Sequence, residues 1–196
     1  MRIFLLGTAL AGTLFVALPA SQESGRPSDS LERPFAANGR IAMDLAAGEY
    51  RITGGSDRIR MDWSVRRAGE LRDVRARADV RGRDASIRTD RDGDSGFHVD
   101  IQVPRRTDLF IRLTAGELTI EDVEGDKDVA LHAGEINIGV GRPESYQRVE
   151  ASVWAGEVNA GPYGLSKGGL FRSIDWQGNG AYRLKARLKA GEVRLY

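Results

Sequence analysis

The chain has 196 residues, with 29 basic and 28 acidic side chains, a formal net charge of +1 and no cysteine. The near-neutral charge gives no electrostatic indication of a nucleic-acid binder, and the lack of cysteine excludes disulfides, thiolate metal sites and lipid attachment at cysteine. The length predicts one folded domain or two small ones. Glycine accounts for 24 residues, which indicates many turns and favours an all-β chain.

The N-terminal segment has the features of an export signal. It begins Met1-Arg2, continues with an uncharged apolar run and ends at Pro19-Ala20. Residues 1–20 are therefore predicted to be a signal peptide cleaved after Ala20, with an uncleaved anchor helix as the alternative. Cleavage would leave no stable transmembrane domain and would place the protein in the periplasm or at the cell surface. Residues 21–34, polar with two prolines, are predicted to be a flexible linker.

An internal repeat is the main feature of the rest of the chain. Ala-Gly-Glu occurs five times, with its glycine at positions 48, 116, 134, 156 and 191. Apolar residues alternate before and after each copy, and the phase of the alternation changes by one across every Gly-Glu. Alternation predicts strands with one buried face. The repeated change of phase predicts a bend at which glycine tolerates positive φ and close backbone approach, with the glutamate facing solvent.

The spacing of the copies indicates the architecture. From residue 115 onward the copies begin 18, 22 and 35 residues apart, and the last gap predicts a hidden corner near Ile174–Gly178. Strand–corner–strand units of this period predict a single all-β domain over residues 35–196, folded as a single-stranded β-helix or β-solenoid-like stack of short strands with Gly-Glu corners. The longer first gap predicts four strands, over Ile59–Val65, Val74–Val80, Ala85–Thr89 and Phe97–Val103.

The segment Asp100–Pro104, followed by Leu109–Ile120 with its Ala-Gly-Glu, resembles the DUF4097 family of β-strand-repeat proteins, often labelled "putative adhesin". The resemblance covers about residues 35–196, and the chain is also similar to the toast-rack domains of envelope-stress regulators. The resemblance implies one β-helix-like stack that is secreted or faces the envelope. It implies no catalytic residues and no cofactor.

Two sets of acidic residues are candidate metal ligands. Asp90, Asp92 and Asp94 alternate as in a calcium loop, but the glycine and glutamate of an EF-hand are absent, so a hairpin turn is the favoured interpretation. The corner glutamates could stack in a row, and Glu117, Glu135 and Glu157 are the candidates for divalent-cation binding. The simpler interpretation is a solvated corner, because exposed like charges repel weakly in water. His98 and His132 are predicted to be solvated surface residues.

Two sets of residues are candidates for partner binding. Arg183, Lys185, Arg187 and Lys189 alternate on one strand and are predicted to share its outward face. They form either a charged terminal strand that discourages edge-to-edge pairing or a docking stripe for an anionic envelope polymer or lipid phosphate. Trp154 and Phe110 also fall on outward phases, which indicates either a sugar or protein contact or packing under a neighbouring loop.

These features predict a non-enzymatic, exported, adhesion-like module that presents an extended charged surface to an envelope polymer or an exported protein. No catalytic residue and no cofactor is assigned, and the oligomeric state is left open. One alternative is a sensory or regulatory domain of the envelope stress response that binds another exported protein. A second is a polysaccharide-processing β-helix enzyme, which would need two facing carboxylates.

Overall fold

The computed structural model describes residues 27–91 and 96–196, and within them the chain is all-β. Twelve strands form one hydrogen-bonded sheet. In chain order they are β1 (Ser28–Pro34), β2 (Gly39–Leu45), β3 (Gly48–Gly54), β4 (Arg58–Ser64), β5 (Val74–Arg81), β6 (Asp84–Arg91), β7 (His98–Val103), β8 (Thr107–Glu121), β9 (Lys127–Ile138), β10 (Tyr146–Ala160), β11 (Leu165–Gln177) and β12 (Tyr182–Leu195). Short 3-10 turns span Ala68–Asp73, Pro143–Ser145 and Gly161–Tyr163.

The Ala-Gly-Glu segments are bends that lie side by side. Strands β8, β9, β12 and β10 run parallel in this order, and β2 and β3 form the two halves of a fifth such unit beside β8. Their glycines pair in register in the order Gly48, Gly116, Gly134, Gly191, Gly156. We call the residues before each glycine the first arm, those after it the second arm, and the glycines the corner glycines.

The backbone explains why the corner residue is glycine. Gly134 has φ of 129°, a region that L side chains rarely adopt. A Cβ atom built on Gly134 would overlap the carbonyl oxygen of Gly116. The same overlap recurs between Gly191 and Gly134 and between Gly156 and Gly191. The predicted bend, with its positive φ and close approach, is confirmed at these corners.

The bend folds the sheet onto itself around one core. In β8, Leu109, Ile111 and Leu113 are buried on the first arm, and Leu118 and Ile120 are buried on the second. Buried residues of both arms belong to a single apolar cluster. Beyond β8 the sheet divides, because β2, β6 and β5 extend the first arm whereas β3, β7, β4 and β1 extend the second. The strands predicted between the first two corners correspond to β4, β5, β6 and β7.

The predicted single-stranded solenoid is not confirmed. Successive turns of such a stack would lie in sequence order, but β12 lies between β9 and β10. The strands toward both ends of the sheet are also antiparallel, as in the pairs β1–β4, β4–β7, β5–β6 and β10–β11. The structure therefore shows a large bent sheet with a parallel centre, and local alternation could not predict the order of its strands.

Two further predictions need correction. Residues 28–34 of the predicted linker form β1, which pairs with β4 along its whole length. The hidden corner near Ile174–Gly178 is absent, because this part of β11 pairs in register with β10 up to Gln177. The bend of β11 lies instead at Gly169, which has φ of 119° and pairs with Gly156. The predicted signal peptide, residues 1–20, lies outside the described residues.

Candidate binding surface

The outer face of the first arm carries the predicted basic residues. Arg183, Lys185, Arg187 and Lys189 alternate with Leu184, Ala186 and Leu188, which are buried, so the four basic side chains share one face as predicted. The strand itself is not at an edge. Although β12 is the last strand in the chain, it is hydrogen-bonded to β9 on one side and β10 on the other. Protection of a free edge is therefore not its role.

Neighbouring strands neutralise much of this basic stripe. Arg187 Nη2 lies 2.6 Å from Asp128 Oδ1, and Lys185 Nζ lies 3.7 Å from Glu150 Oε2. Arg183 Nε donates a hydrogen bond to Gln147 Oε1 over 3.1 Å. Lys189 has no ion-pair partner within residues 27–91 and 96–196. The stripe therefore does not act as four free cations, and its available charge lies toward the corner.

An exposed aromatic pair lies beside the corner end of the stripe. Trp154 is 58% exposed and Phe171 is 72% exposed, and their rings meet edge to face at a centroid distance of 5.7 Å. Leu170 beside them is also exposed. Trp154 is thus not covered by a loop, which was one interpretation of its outward phase. Sequence reasoning missed Leu170 and Phe171, although they follow the consecutive glycines Gly168 and Gly169.

Phe110 is not part of this pair. It lies on β8, with β9 and β12 between it and the strand that carries Trp154. The Arg40 guanidinium covers its ring at 4.9 Å from the centroid. Phe110 is half-buried. The two aromatic residues predicted to face outward therefore lie on separate parts of the outer face.

The corner glutamates form a row, but in an order that the sequence did not predict. Glu117 and Glu135 are neighbours, whereas Glu192 lies between Glu135 and Glu157. Arg194 Nη2 lies 2.6 Å from Glu192 Oε1, and Asn137 Nδ2 donates to Glu117 Oε1 over 3.3 Å. Across residues 27–91 and 96–196, no group of three or more His, Asp or Glu side chains has an arrangement that could hold a metal ion.

The other acidic and histidine candidates lie apart from the stripe. Asp90 is exposed near the end of β6, and Asp92 and Asp94 lie outside the described residues. His98 lies between two carboxylates, with Nε2 3.2 Å from Asp100 Oδ2 and Nδ1 3.5 Å from Glu49 Oε2. His132 is exposed on the outer face of the first arm.

A buried lysine lies where the alternation places an inward side chain. Lys127 occupies the same buried row as Leu109 and Leu184 and is 1% exposed. Its Nζ donates to Tyr146 Oη over 2.9 Å and to Gly125 O over 3.3 Å. Burial lowers the pKa of the Lys127 ammonium to about 8, although nearby acidic residues oppose this change.

A depression of about 620 Å³ opens beside Tyr146, at the ends of the second arms. Glu121, Asp122 and Glu124 line it together with Arg105 and Arg142. A glycosidase acid requires a raised carboxyl pKa. Elsewhere on the protein, hydrogen bonds from Arg58 and Arg148 lower the pKa values of the Asp57 and Asp175 carboxyls respectively, which is the opposite direction.

Within the described residues, no helix is long and apolar enough to span a membrane.

Comparison with solved structures shows where this fold recurs. A "putative cell adhesion protein" from Clostridium sporogenes is similar over 86% of this chain and 97% of its own, with a TM-score of 0.58 and 12% identity. A "putative adhesin" from Parabacteroides merdae covers 59% of this chain and 53% of its own, with a TM-score of 0.33 and 10% identity. A "putative lipid binding protein" from Parabacteroides distasonis covers 88% and 98%, with a TM-score of 0.28 and 8% identity. The first likeness shows the fold, and the other two are too distant to show a shared fold.

No family model matches the chain, and no curated protein matches it.

Proposed function

We propose that this protein is an exported, non-enzymatic, adhesion-like module that binds a partner in the cell envelope through the outer face of its first arm. It would belong with the β-strand-repeat proteins that the Ala-Gly-Glu pattern resembles. The observation that carries the proposal is the exposed aromatic pair, Trp154 and Phe171. It lies beside Lys189, which has no ion-pair partner in the described part of the chain. Large exposed apolar groups with polar surroundings mark interaction sites on soluble proteins.

The architecture supports this role. In the parallel centre of the sheet, the first arms of β8, β9, β12 and β10 are held in register. The outer face is therefore an extended surface fixed by main-chain hydrogen bonds, which suits a long polymer or a protein better than a small substrate. The predicted signal peptide and the fold shared with a "putative cell adhesion protein" are consistent with an envelope location.

The test is cosedimentation of residues 21–196 with isolated cell envelopes at physiological salt. We expect saturable binding that falls about tenfold in a Trp154→Ala/Phe171→Ala double variant, because central aromatic residues carry much of the energy of an interface. Arg77→Ala, an exposed change on β5 at the far end of the sheet, is the matched control and should bind normally. Undiminished binding by the double variant, or no binding by the unmodified chain, contradicts the proposal.

Protease treatment of the envelopes distinguishes the two kinds of partner. Binding that survives the treatment indicates a polymer and supports adhesion. Binding that is lost, together with one protein captured at a 1:1 ratio, indicates the alternative of a sensory or regulatory domain that recognises an exported protein. Release of reducing sugar ends from envelope polysaccharide by the unmodified chain would overturn the non-enzymatic assignment.

A further inference from the structure

A second feature of the same face indicates what it recognises. A depression of about 300 Å³ lies over β8, β9 and β12, and Arg112, His132, Arg187 and Lys189 line it. Ala130 forms its floor because Ala130 pairs with Arg112 on one side and Arg187 on the other. A small side chain between two long ones leaves a gap in the outer surface. Strand register therefore creates the depression and places basic side chains around it.

The charges around the depression favour an anion. Arg112, Arg187 and Lys189 are three basic side chains, and Asp128 contacts the two arginines. Both arginines reach the same oxygen, with Asp128 Oδ1 3.2 Å from Arg112 and 2.6 Å from Arg187. Among the described residues, Arg187 Nε has no hydrogen-bond partner, and it is buried, so the accessible edge of this guanidinium is formed by its Nη atoms. One carboxylate does not balance three basic side chains, so positive charge is left for a ligand, and the exposed Lys189 ammonium is a donor that a ligand can reach.

The aromatic pair continues the same row. Leu131 pairs with Leu188 and Ala133 with Ala190, so His132 lies opposite Lys189. Leu188 also pairs with Val153 and Ala190 with Ala155, so Lys189 lies opposite Trp154 on its other side. Neighbouring strands are about 4.8 Å apart, so the aromatic pair begins one or two strand spacings from the depression. That distance corresponds to one or two sugar rings.

We propose that the Ala130 depression and Trp154 together bind an acidic saccharide, with a uronate carboxylate held by Arg187 and Lys189 and the face of a sugar ring packed on the Trp154 indole. A lysine ammonium and a guanidinium edge both donate charge-assisted hydrogen bonds to carboxylate oxygens, and an exposed aromatic ring offers a flat apolar face beside a polar edge. The inference rests on the proposed function, because it names the ligand class of the same outer face.

Titration with trigalacturonate by isothermal calorimetry tests the assignment, with uncharged maltotriose as the control ligand. We expect the chain to bind trigalacturonate, with affinity that falls as salt rises, and not to bind maltotriose at the same concentrations. Lys189→Ala and Trp154→Ala should each weaken binding about tenfold, the usual effect of removing a charged hydrogen bond or a central aromatic contact. Arg77→Ala removes one exposed positive charge elsewhere and should leave the affinity unchanged.

Three results would overturn the inference. They are equal affinity for trigalacturonate and maltotriose, no change in either binding-site variant, and no binding at millimolar ligand. Circular dichroism melts identify any variant that has lost its fold, and Lys189→Gln then replaces Lys189→Ala. If phosphatidylglycerol vesicles are bound instead, and the binding is lost in Lys189→Ala, the site recognises lipid phosphate and the saccharide assignment is wrong.

The two proposals can fail separately. If envelopes bind through the aromatic pair but trigalacturonate does not bind, the acidic-saccharide assignment fails and the proposed function stands. If trigalacturonate binds but envelopes do not, the site is real and the envelope partner is wrong. If neither binds, both proposals are wrong.

Discussion

Four of the corner glycines are required by close contact with the neighbouring corner in the stack: Gly116, Gly134, Gly191 and Gly156. Gly134 combines φ of 129° with a Cβ position that would overlap the carbonyl oxygen of Gly116. Flexible side chains could move aside, but this oxygen belongs to a backbone held by hydrogen bonds on both sides. Substitution at Gly134 therefore brings together two costs, the unfavourable φ and the overlap.

Gly134→Ala should lower the free energy of unfolding by about 2 kcal/mol more than Gly55→Ala. Gly55 has a similar φ of 134°, but an added Cβ there would meet nothing within 4 Å. The pair separates the cost of φ, present in both variants, from the cost of close approach, present in one. Urea denaturation measures the difference, and failure of Gly134→Ala to fold agrees with it. Equal losses would show that the corners do not need close approach.

Lys127 makes stability depend on pH in a direction that can be predicted. Its pKa is about 8 in the folded chain and 10.5 when exposed, with Asp126, Asp108 and Glu124 as the charged neighbours that oppose the lowering. Between these pH values the unfolded chain binds more protons than the folded chain. Stability from this group therefore rises with pH across that range and is lower below pH 8, where the buried lysine is charged.

Comparison of the unmodified chain with Lys127→Met isolates this effect from other titrating groups. From pH 7.5 to pH 9.5, the unmodified chain should gain about 2 kcal/mol of unfolding free energy relative to the variant. Urea denaturation at the two pH values measures the change. The control is Lys189→Met, a change at an exposed lysine. Between the same two pH values, the unmodified chain should gain no unfolding free energy relative to this variant. If the unfolding free energies of the unmodified chain and Lys127→Met change in parallel with pH, folding does not lower the pKa of Lys127.

At the scale of single strands, the sequence predicts phase well and partners poorly. Strands β4 to β7 were predicted to within a few residues, because buried and exposed side chains alternate locally. In β11, residues 166–173 are exposed, so there is little alternation to read. Its bend at Gly169 is set by pairing with Gly156 on β10, which is a property of the neighbouring strand.

The candidate site shows the same division. Alternation correctly placed the basic side chains of β12 and the indole of Trp154 on the outer face. It could not show that Asp128 and Glu150 lie beside that stripe, because their proximity depends on the position of β12 between β9 and β10. The alternation of β9 also places Lys127 on the inward phase. Its burial was not predicted, because lysine is rarely buried.

At the scale of the whole molecule, the last strand of the chain completes the centre of the sheet. Strand β12 hydrogen-bonds to β9 and β10 along most of its length and buries Leu184, Ala186, Leu188, Val193 and Leu195. Strands β10 and β11 are joined to the rest of the sheet through it. Without β12, two long strands would face each other across an unpaired gap, and exposed strand edges promote aggregation.

Deletion of residues 181–196 should therefore abolish cooperative unfolding and cause the chain to aggregate. Deletion of residues 21–34 is the matched control, because it removes a whole strand, β1, that lies at one end of the sheet and pairs with β4. This shorter chain should keep a cooperative thermal transition at lower temperature, since its remaining strands stay paired. Circular dichroism melts and sedimentation velocity distinguish the two outcomes. A C-terminal deletion that stays monomeric and melts cooperatively would show that β9 and β10 can close the sheet without β12, and that the order of strands described above is not required for folding.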